Sequence, residues 1–187
     1  MHNTLRFVSG NEFKLKEAAQ ILEAAGITVV SLQIPISELQ VRDTDQLVKD
    51  KTLKAFRRVG RPLFVEHTGL YLAHLSGLPG GLTQIFWDTL QAERFAEMFG
   101  RTNDPTAVAK TVIGYTDGRQ FKSFEGEISG KIASEPRGPA DFQWDCVFIP
   151  EGHNKTFAEL GTDIKNRISM RRIALDRFVS FLEGKEV

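Results

Sequence analysis

The chain places a short polar segment, Ser9-Gly10-Asn11, between an apolar run and an amphipathic one, with Lys14 three residues later. A strand that ends here and a helix that begins here would bring unpaired backbone N–H groups and the positive helix end together. Glycine lets an anion approach the backbone, Ser9 and Asn11 can donate hydrogen bonds, and Lys14 adds a positive charge. The segment therefore predicts a phosphate-binding site. Ordinary N-capping by Ser9 or Asn11 explains the same residues equally well.

A second polar segment, Glu66-His67-Thr68, follows an apolar run that predicts a strand. Ligands of open α/β sheets bind beyond the carboxyl ends of the strands, so these side chains are candidates for a binding or catalytic site. Polar residues in such places are often only turn formers. The glycine-rich segment that follows, 77–81, is more simply interpreted as a rigid loop.

Aromatic and polar residues are interleaved from Phe142 through Trp144 to Asp145. The two aromatic rings would offer a surface on which a base stacks. The neighbouring carboxylate would offer an oxygen ligand that faces a metal. A core strand with a capping aspartate fits the same residues about as well.

The segment 165–172 contains four basic residues, at the start of the amphipathic pattern that predicts the last helix. Such a run usually lies on a solvated face. Cations at a helix N-terminus are nevertheless disfavoured by the helix dipole. The run therefore favours an anionic partner.

An alternation of strands and helices must position these residues. The hydrophobic pattern predicts strands over 5–9, 27–32 and 63–66. It predicts one helix that closes at Gly26 and another over about 45–59. This order is typical of an α/β fold with crossover helices and a sheet that is at least partly parallel.

The second half of the chain has a different pattern. It predicts a long helix over 82–99, strands over 107–115 and 120–132 around a tight turn at Asp117-Gly118, a strand over 142–149 and a last helix over 169–182. No linker rich in Pro, Gly or Ser divides the chain. We therefore expect residues 1–187 to form a single domain with two lobes on one continuous sheet.

Composition narrows the function classes. The 187 residues include 24 Lys plus Arg and 24 Asp plus Glu, so no net field attracts a nucleic-acid backbone. An apolar content of 41% argues against disordered, collagen-like and coiled-coil proteins. One cysteine, no long apolar stretch and a short polar N-terminus predict a cytoplasmic protein without a secretory signal or membrane helix.

Taken together and in this order, the motifs resemble those of the Ham1/RdgB-type family of inosine triphosphate pyrophosphatases. The resemblance runs from Phe7 to Arg172, nearly the whole chain. The most specific matches are Phe7-Val8-Ser9-Gly10-Asn11 with Lys14, Val65-Glu66-His67-Thr68 with Gly77-Leu78-Pro79-Gly80, and Phe142-Gln143-Trp144-Asp145. The set is completed by Thr156-Phe157-Ala158-Glu159-Leu160, Lys165 and Ser169-Met170-Arg171.

The resemblance implies an α/β fold in which an elongated, two-lobed mixed sheet with flanking helices encloses a central nucleotide cleft. It implies a homodimer that hydrolyses purine triphosphates such as (d)ITP and XTP to the monophosphate and pyrophosphate. It also implies Mg²⁺ as the cofactor, with Mn²⁺ as a possible substitute.

The resemblance carries roles onto individual residues. Those implied to hold the triphosphate are Ser9, Asn11, Lys14 and Lys165. Lys14 is also a catalytic candidate, because lysines neutralise charge on the leaving pyrophosphate. Thr68 joins the substrate-binding set, Glu38 matches a metal-ligand glutamate, and Asp145 would lie near the metal or the sugar.

The base-binding residues implied by the resemblance are Phe142 and Trp144, which border the ring, and Arg171, which donates to the purine 6-keto oxygen. The chain departs from the family pattern beside them. Met170 replaces a histidine that helps recognise the base, and methionine offers no donor to a keto oxygen. We therefore expect weaker selectivity for inosine over adenosine or guanosine. Gln143 for glycine and Cys146 for proline alter the same wall.

A further departure is His67, which stands where the family has an aspartate that holds metal and activates water. Imidazole is a poor ligand for Mg²⁺, whereas manganese and heavier metals tolerate nitrogen. His67 is therefore a candidate metal ligand together with Glu38, or a general base in its own right. Glu66 does not simply replace the aspartate, because neighbouring residues on a strand point to opposite faces.

Two other function classes follow from the same residues. Because of His67, the chain is alternatively a nucleotide-binding protein that has kept the fold and lost hydrolysis. A nucleic-acid-binding module is disfavoured, since it needs a broad basic face and the chain has one basic cluster and no net charge.

Overall fold

A computed structural model of the protein describes residues 4–185. Its first half alternates strands and helices, in the order β1 (Thr4–Val8), α1 (Glu12–Ala24), β2 (Thr28–Leu32), α2 (Thr44–Val59) and β3 (Leu63–Leu72). Side-chain caps fix both helix starts: Asn11 accepts from Lys14 N, and Asp43 accepts from the N–H groups of Asp45 and Gln46. The predicted α/β alternation is confirmed.

The second half is built around two long antiparallel strands. Its elements are β4 (Pro79–Gly80), α3 (Thr83–Gly100), β5 (Thr106–Thr116), β6 (Phe121–Ile132), β7 (Phe148–Pro150), α4 (Phe157–Ile168) and α5 (Met170–Leu182). Short 3₁₀ turns lie at Ala73–Leu75 and Gln143–Cys146. The turn between β5 and β6 is stabilised by Asp117, which accepts from the N–H groups of Arg119 and Gln120.

All seven strands belong to one mixed sheet of order β2-β1-β3-β5-β6-β7, with β4 paired to β3. The β1–β2 and β1–β3 pairs are parallel, while β5, β6 and β7 continue the sheet antiparallel. The fold class is therefore a mixed α/β sheet with flanking helices. Within residues 4–185, no helix has both the length and the apolar character that a bilayer span requires.

Helices cover both faces of the sheet. Phe7, Phe64 and Phe178 pack in the core between the sheet and helices α1 and α5. On the opposite face, Val65 and Leu47 belong to the core under α2. The alternation of Phe64 and Val65 between the two cores is the period-two pattern of a strand buried on both sides.

Close contact between α5 and β6 depends on a residue without a side chain. A Cβ added at Gly126 of β6 would collide with the carbonyl oxygen of Met170, at the first residue of α5. Met170 itself is fully buried in an apolar cluster with Phe148 and Phe157. The first turn of α5 is therefore pressed directly against the sheet.

The structure corrects several predicted elements. Strand β3 continues to Leu72 rather than ending at Glu66, because it pairs with β5 over its whole length. The strand predicted over 142–149 is wrong: its first half is the 3₁₀ turn, and only Phe148–Pro150 is extended. Helix α4 was not predicted; it begins with a capping box between Thr156 and Glu159.

The basic run also belongs to two helices rather than one. Lys165 and Arg167 lie in the last turn of α4, where the dipole favours cations, and Arg171 and Arg172 lie in the first turn of α5. Only Arg171 and Arg172 therefore lie at a helix N-terminus, where the sequence analysis had placed all four basic residues.

Candidate functional site

A cavity of about 560 Å³ opens where β1 and β3 approach the starts of α1 and α3; we call it the first cavity. Most of the polar residues singled out in the sequence border it. Its polar lining residues include Ser9, Asn11, Lys14, Glu38, Lys51, Glu66, His67, Thr68, Thr83, Gln84 and Gln143. Both tryptophans of the chain, Trp87 and Trp144, complete the wall.

The segment Ser9-Gly10-Asn11 forms the bend between β1 and α1. Asn11 caps α1 through its Oδ1, which accepts from Lys14 N at 3.1 Å, and Ser9 Oγ accepts from Asn11 N at 3.2 Å. The capping interpretation is thus confirmed. A Cβ at Gly10 would meet nothing within 4 Å, so the backbone faces open space at the positive end of the helix. Capping and room for an anion coexist at this bend.

Lys14 reaches from α1 to Glu66 on β3, with 3.1 Å between Nζ and Oε1. Burial is the largest influence on Lys14 and lowers its pKa below the ordinary value, although Glu66 opposes the shift. Thr68 Oγ1 donates to the same Glu66 oxygen at 2.6 Å. The ammonium is therefore held at the cavity wall by a fixed carboxylate.

Glu66 also belongs to a buried ionic network centred on Arg171. The Arg171 guanidinium is 1% exposed and binds Glu66 on one side and Glu17 on the other. Burial alone would raise the pKa of Glu66, but the charges of Arg171 and Lys14 outweigh it and hold that pKa well below its usual range. Ser169, the N-cap of α5, donates to Glu17 as well. Every carboxylate oxygen of the network has a donor.

Glu38 and His67 form a separate cluster on the opposite side of β3. Glu38 Oε1 lies 2.6 Å from Lys51 Nζ, and Glu38 Oε2 lies 3.4 Å from His67 Nδ1. Burial opposes ionisation of Glu38, yet the hydrogen bond from His67 and the charge of Lys51 lower its pKa to about 2. Burial lowers the pKa of His67 below 6.5, so its imidazole is neutral near neutral pH. Its Nε2 is buried without a hydrogen-bond partner.

A second cavity of about 380 Å³ lies between α1, the 3₁₀ turn and α4. Lys165 Nζ lies 2.5 Å from Asp145 Oδ2 and 4.1 Å from the centre of the Phe142 ring. Phe13 borders the same space, with its ring centre 5.4 Å from that of Phe142. Asp145 Oδ1 is buried and accepts no hydrogen bond. Burial raises the pKa of Asp145 and lowers that of Lys165, which brings both groups closer to their neutral forms.

The structure thus divides the predicted site residues between two cavities. The residues that it gathers around the first cavity are Ser9, Asn11, Lys14, Glu38, His67, Thr68 and Trp144. Those that it gathers around the second are Phe142, Asp145 and Lys165. Arg171 lines neither cavity but binds Glu66 at the wall of the first and Glu17 at the wall of the second. Met170 points into the apolar core.

Among the wall residues that sequence reasoning missed are Glu17, Lys51, Gln84 and Trp87. Glu17 follows Lys14 by one helical turn, so a charged residue on the buried face of α1 was a usable signal. Lys51 lies on α2 and donates to the carbonyl oxygen of Glu66 at 3.2 Å. Nothing in the sequence links Lys51 to β3.

A metal at the first cavity would find few protein ligands. Among residues 4–185, no three His, Cys, Asp or Glu side chains form a cluster that could hold a metal ion. The candidate ligands are the carboxylate of Glu38 and the imidazole of His67, because Lys14, Thr68 and Arg171 occupy the oxygens of the other cavity carboxylate, Glu66. Mg²⁺ often keeps several waters and binds through one or two carboxylates plus substrate phosphates. This donor set therefore fits an ion that a triphosphate also ligates.

Comparison with known proteins shows similarity along nearly the whole chain. Residues 5–181 match the model of the Ham1 family. A dITP/XTP pyrophosphatase of Thermococcus kodakarensis is 35% identical over 179 residues, which cover 96% of this chain and 97% of the relative. An inosine triphosphate pyrophosphatase of Tuber melanosporum is 37% identical over 186 residues, or 98% and 99% of the two chains.

The solved structure of a HAM1 protein from Coxiella burnetii has the same fold. It superimposes with a TM-score of 0.83 at 25% sequence identity, and the match covers 97% of this chain and 98% of that one. The mixed sheet with helices on its two faces is thus a shared fold.

Proposed function

Because this chain belongs to the Ham1 family, we propose that it is a nucleoside triphosphate pyrophosphatase. Its substrates would be purine triphosphates of the (d)ITP and XTP type, and its products the monophosphate and pyrophosphate. The observation that carries the proposal is the pair of cavities with different chemistry, joined through Glu66, Arg171 and Glu17.

The first cavity suits the triphosphate. It combines the N-terminus of α1, open backbone at Gly10 and the ammonium groups of Lys14 and Lys51. A helix N-terminus and nearby lysines attract phosphate oxygens and stabilise the charge that builds up on a departing pyrophosphate. Ser9, Asn11 and Thr68 would supply further hydrogen bonds. Lys14 would act on the leaving group, because Glu66 holds its Nζ in place.

The second cavity suits a 6-keto purine. Lys165 offers a donor, Asp145 Oδ1 is an acceptor without a partner, and Phe142 offers a ring face. Hypoxanthine and xanthine present a keto acceptor beside an N–H donor, which is the complementary pattern. Adenine presents the reverse, an amino donor beside an acceptor nitrogen, and in the same orientation would place donor against donor and acceptor against acceptor. This proposal gives Lys165 and Asp145 the discrimination between bases, in place of the phosphate role and the metal or sugar role that the resemblance implied. Arg171, which the resemblance placed on the keto oxygen, lines neither cavity and supports them from inside the protein.

A divalent cation completes the proposal, and Glu38 is the residue best suited to hold it. When bound with the triphosphate, the ion would neutralise phosphate charge. Imidazole favours Mn²⁺ over Mg²⁺ if His67 also ligates. His67 has a second role available, because a neutral imidazole nitrogen can take the proton of the attacking water. Glu38 would then orient the ring through Nδ1.

The proposal also includes a homodimer that works in the cytoplasm without a nucleic-acid partner. The family resemblance supports the dimer, and the single cysteine is in keeping with a reducing compartment. The balance of 24 basic and 24 acidic residues argues against a nucleic-acid partner. Sedimentation of the purified protein would test the dimer directly.

The decisive experiment offers the purified protein inosine, xanthosine and the four standard triphosphates, each with Mg²⁺ and with Mn²⁺. Pyrophosphate and orthophosphate are measured separately. We expect pyrophosphate together with an equal amount of monophosphate, released faster from triphosphates of 6-keto purines such as inosine and xanthosine than from adenosine triphosphate. Orthophosphate as the first product, or no preference for 6-keto purines over adenosine triphosphate, would contradict the proposal.

The scarcity of metal ligands favours a second candidate function, a nucleotide-binding protein without hydrolysis. In that case His67→Asp would create turnover from a background close to zero, because it adds a second carboxylate beside Glu38. Brisk turnover by the unaltered protein with either metal excludes this candidate. His67→Asn, which adds no carboxylate, is the matched control.

A further inference from the structure

Two glutamine side chains meet at the wall of the first cavity. Gln143 Nε2 donates to Gln84 Oε1 at 2.5 Å, although 59 residues separate them in the chain. Gln84 lies in the first turn of α3, and Gln143 is the first residue of the 3₁₀ turn that ends at Cys146. Gln84 is itself held by Asp88, whose Oδ1 accepts from Gln84 Nε2 at 2.7 Å. We call this contact the glutamine bridge.

The backbone of Gln143 carries a cost that the bridge helps to offset. Its φ is 39°, in the left-handed region that residues with a Cβ rarely adopt. Such a conformation persists only where the surroundings impose it, and it often marks a functional position. Within residues 4–185, this donated bond is the hydrogen bond that the Gln143 side chain makes.

The 3₁₀ turn that Gln143 begins serves both cavities. Trp144 lines the first cavity, while the flanking Phe142 and Asp145 line the second. A tie between this turn and α3 therefore fixes the aromatic face and the carboxylate that would meet a base. The same tie connects two walls of the first cavity, because Thr83 and Trp87 of α3 line that cavity as well as Trp144 of the turn.

We propose that the glutamine bridge is a latch that holds the 3₁₀ turn against α3 and so retains a bound nucleotide. Gln143 and Gln84 are positioning residues in this account: they act through Phe142, Trp144 and Asp145. The inference rests on the proposed function, because it takes a nucleotide as the ligand. When the bridge breaks, the turn moves away from α3 and the nucleotide leaves faster.

The two tryptophans allow this to be measured without turnover. Both line the first cavity, so the intrinsic tryptophan fluorescence of the protein reports on that cavity. The probes are inosine monophosphate and the non-hydrolysable α,β-imido analogue of inosine triphosphate. Stopped-flow fluorescence gives their release rates from the wild type and from Gln84→Ala, Gln143→Ala and the double variant.

We expect each single variant to release both probes roughly two- to tenfold faster, the range that one hydrogen bond supports. The double variant should be no faster than the faster single one, because either change breaks the same bridge. The effect should persist at high salt, since both partners are uncharged. Gln120→Ala, on the exposed β5–β6 turn, is the matched control.

Gln143→Gly separates the latch from a structural role. Glycine adopts a φ of 39° without steric cost, so this variant should melt at a higher temperature than Gln143→Ala. It should nevertheless release nucleotide as fast as Gln143→Ala. Wild-type release rates in the single variants, or additive effects in the double variant, would overturn the latch. Absence of binding of either probe to the wild type, measured by isothermal titration calorimetry, would overturn the proposed function with it.

Discussion

Arg171 Nε donates to Glu66 Oε2 over 2.7 Å, inside the protein and across 105 residues of sequence. The contact joins α5 to β3 directly beneath the wall of the first cavity. Glu66 in turn holds Lys14, so the position of a cavity lysine depends on a guanidinium that touches neither cavity. The position of a charge at the cavity wall is therefore set in part by a residue that lines neither cavity.

Removal of Arg171 should destabilise the protein strongly. Arg171→Leu would leave Glu17 buried without a cation and Glu66 with Lys14 alone, and uncompensated buried charge costs about 3–5 kcal/mol. The free energy of unfolding from urea titration measures this. Arg172→Ala is the control on the same helix, because its pair with Asp176 is exposed and contributes only about 0–1 kcal/mol. Equal losses in the two variants would argue against a stabilising network.

Lys14→Ala should nearly abolish pyrophosphate release. The change removes a positive charge from the first cavity, and the loss of one preorganised donor to a developing anion typically costs about 100- to 1,000-fold in rate. The assay is steady-state pyrophosphate release with inosine triphosphate. Lys122→Ala, an exposed change on β6, serves as the control and should retain wild-type rates. Undiminished release by Lys14→Ala would exclude this lysine from the chemistry.

Asp145→Asn should weaken base discrimination. The amide offers both a donor and an acceptor, so adenosine triphosphate would lose less at this wall than it does against a carboxylate. We expect the ratio of kcat/KM for inosine over adenosine triphosphate to fall by about tenfold or more. Asp163→Asn, on the outer face of α4, is the control. An unchanged ratio would place base recognition elsewhere.

Stability should decline as the pH falls through the range of His67. Its pKa is lower in the folded protein than the ordinary 6.5, so the unfolded chain binds more protons just below that pH. The free energy of unfolding should therefore fall between about pH 7 and pH 5.5 in a chelating buffer.

His67→Gln should flatten this part of the pH profile. Asp145, Glu38 and Glu66 are present in both proteins. Loss of the hydrogen bond from His67 raises the pKa of Glu38 only toward its ordinary value, below this pH range, so the difference between the two profiles reports the imidazole. The same slope in both proteins would mean that another group titrates in this range.

The sequence predicted the elements whose pattern is local. The alternation from β1 to β3 and the hairpin of β5 and β6 follow from periodicity, capping residues and the Asp117-Gly118 turn. The 3₁₀ turn after Phe142 was predicted as a strand, because its apolar residues are buried by tertiary contacts rather than by a ladder of hydrogen bonds. Helix α4 had a usable signal in the capping box of Thr156 and Glu159.

Only part of the candidate site could be predicted, because many of its residues meet through long-range contacts. Ser9, Asn11 and Lys14 are neighbours in sequence, so their meeting at one bend could be expected. The partners of Arg171 could not, because Glu17 and Glu66 reach it from elements more than 100 residues away. The same holds for the glutamine bridge, which depends on how the 3₁₀ turn docks on α3. Long-range pairing of single polar residues leaves no local pattern.

Gly126 shows how a remote position controls these charges. Because the first turn of α5 rests on the bare backbone of β6, the depth at which Arg171 enters the protein is set by the absence of a side chain at Gly126. An alanine there would lift the start of α5 from the sheet and draw the guanidinium away from both carboxylates. Strand β6 lines neither cavity. The lack of one methyl group on this strand nevertheless sets the distance between α5 and the sheet, and with it the position of the ionic network beneath the site.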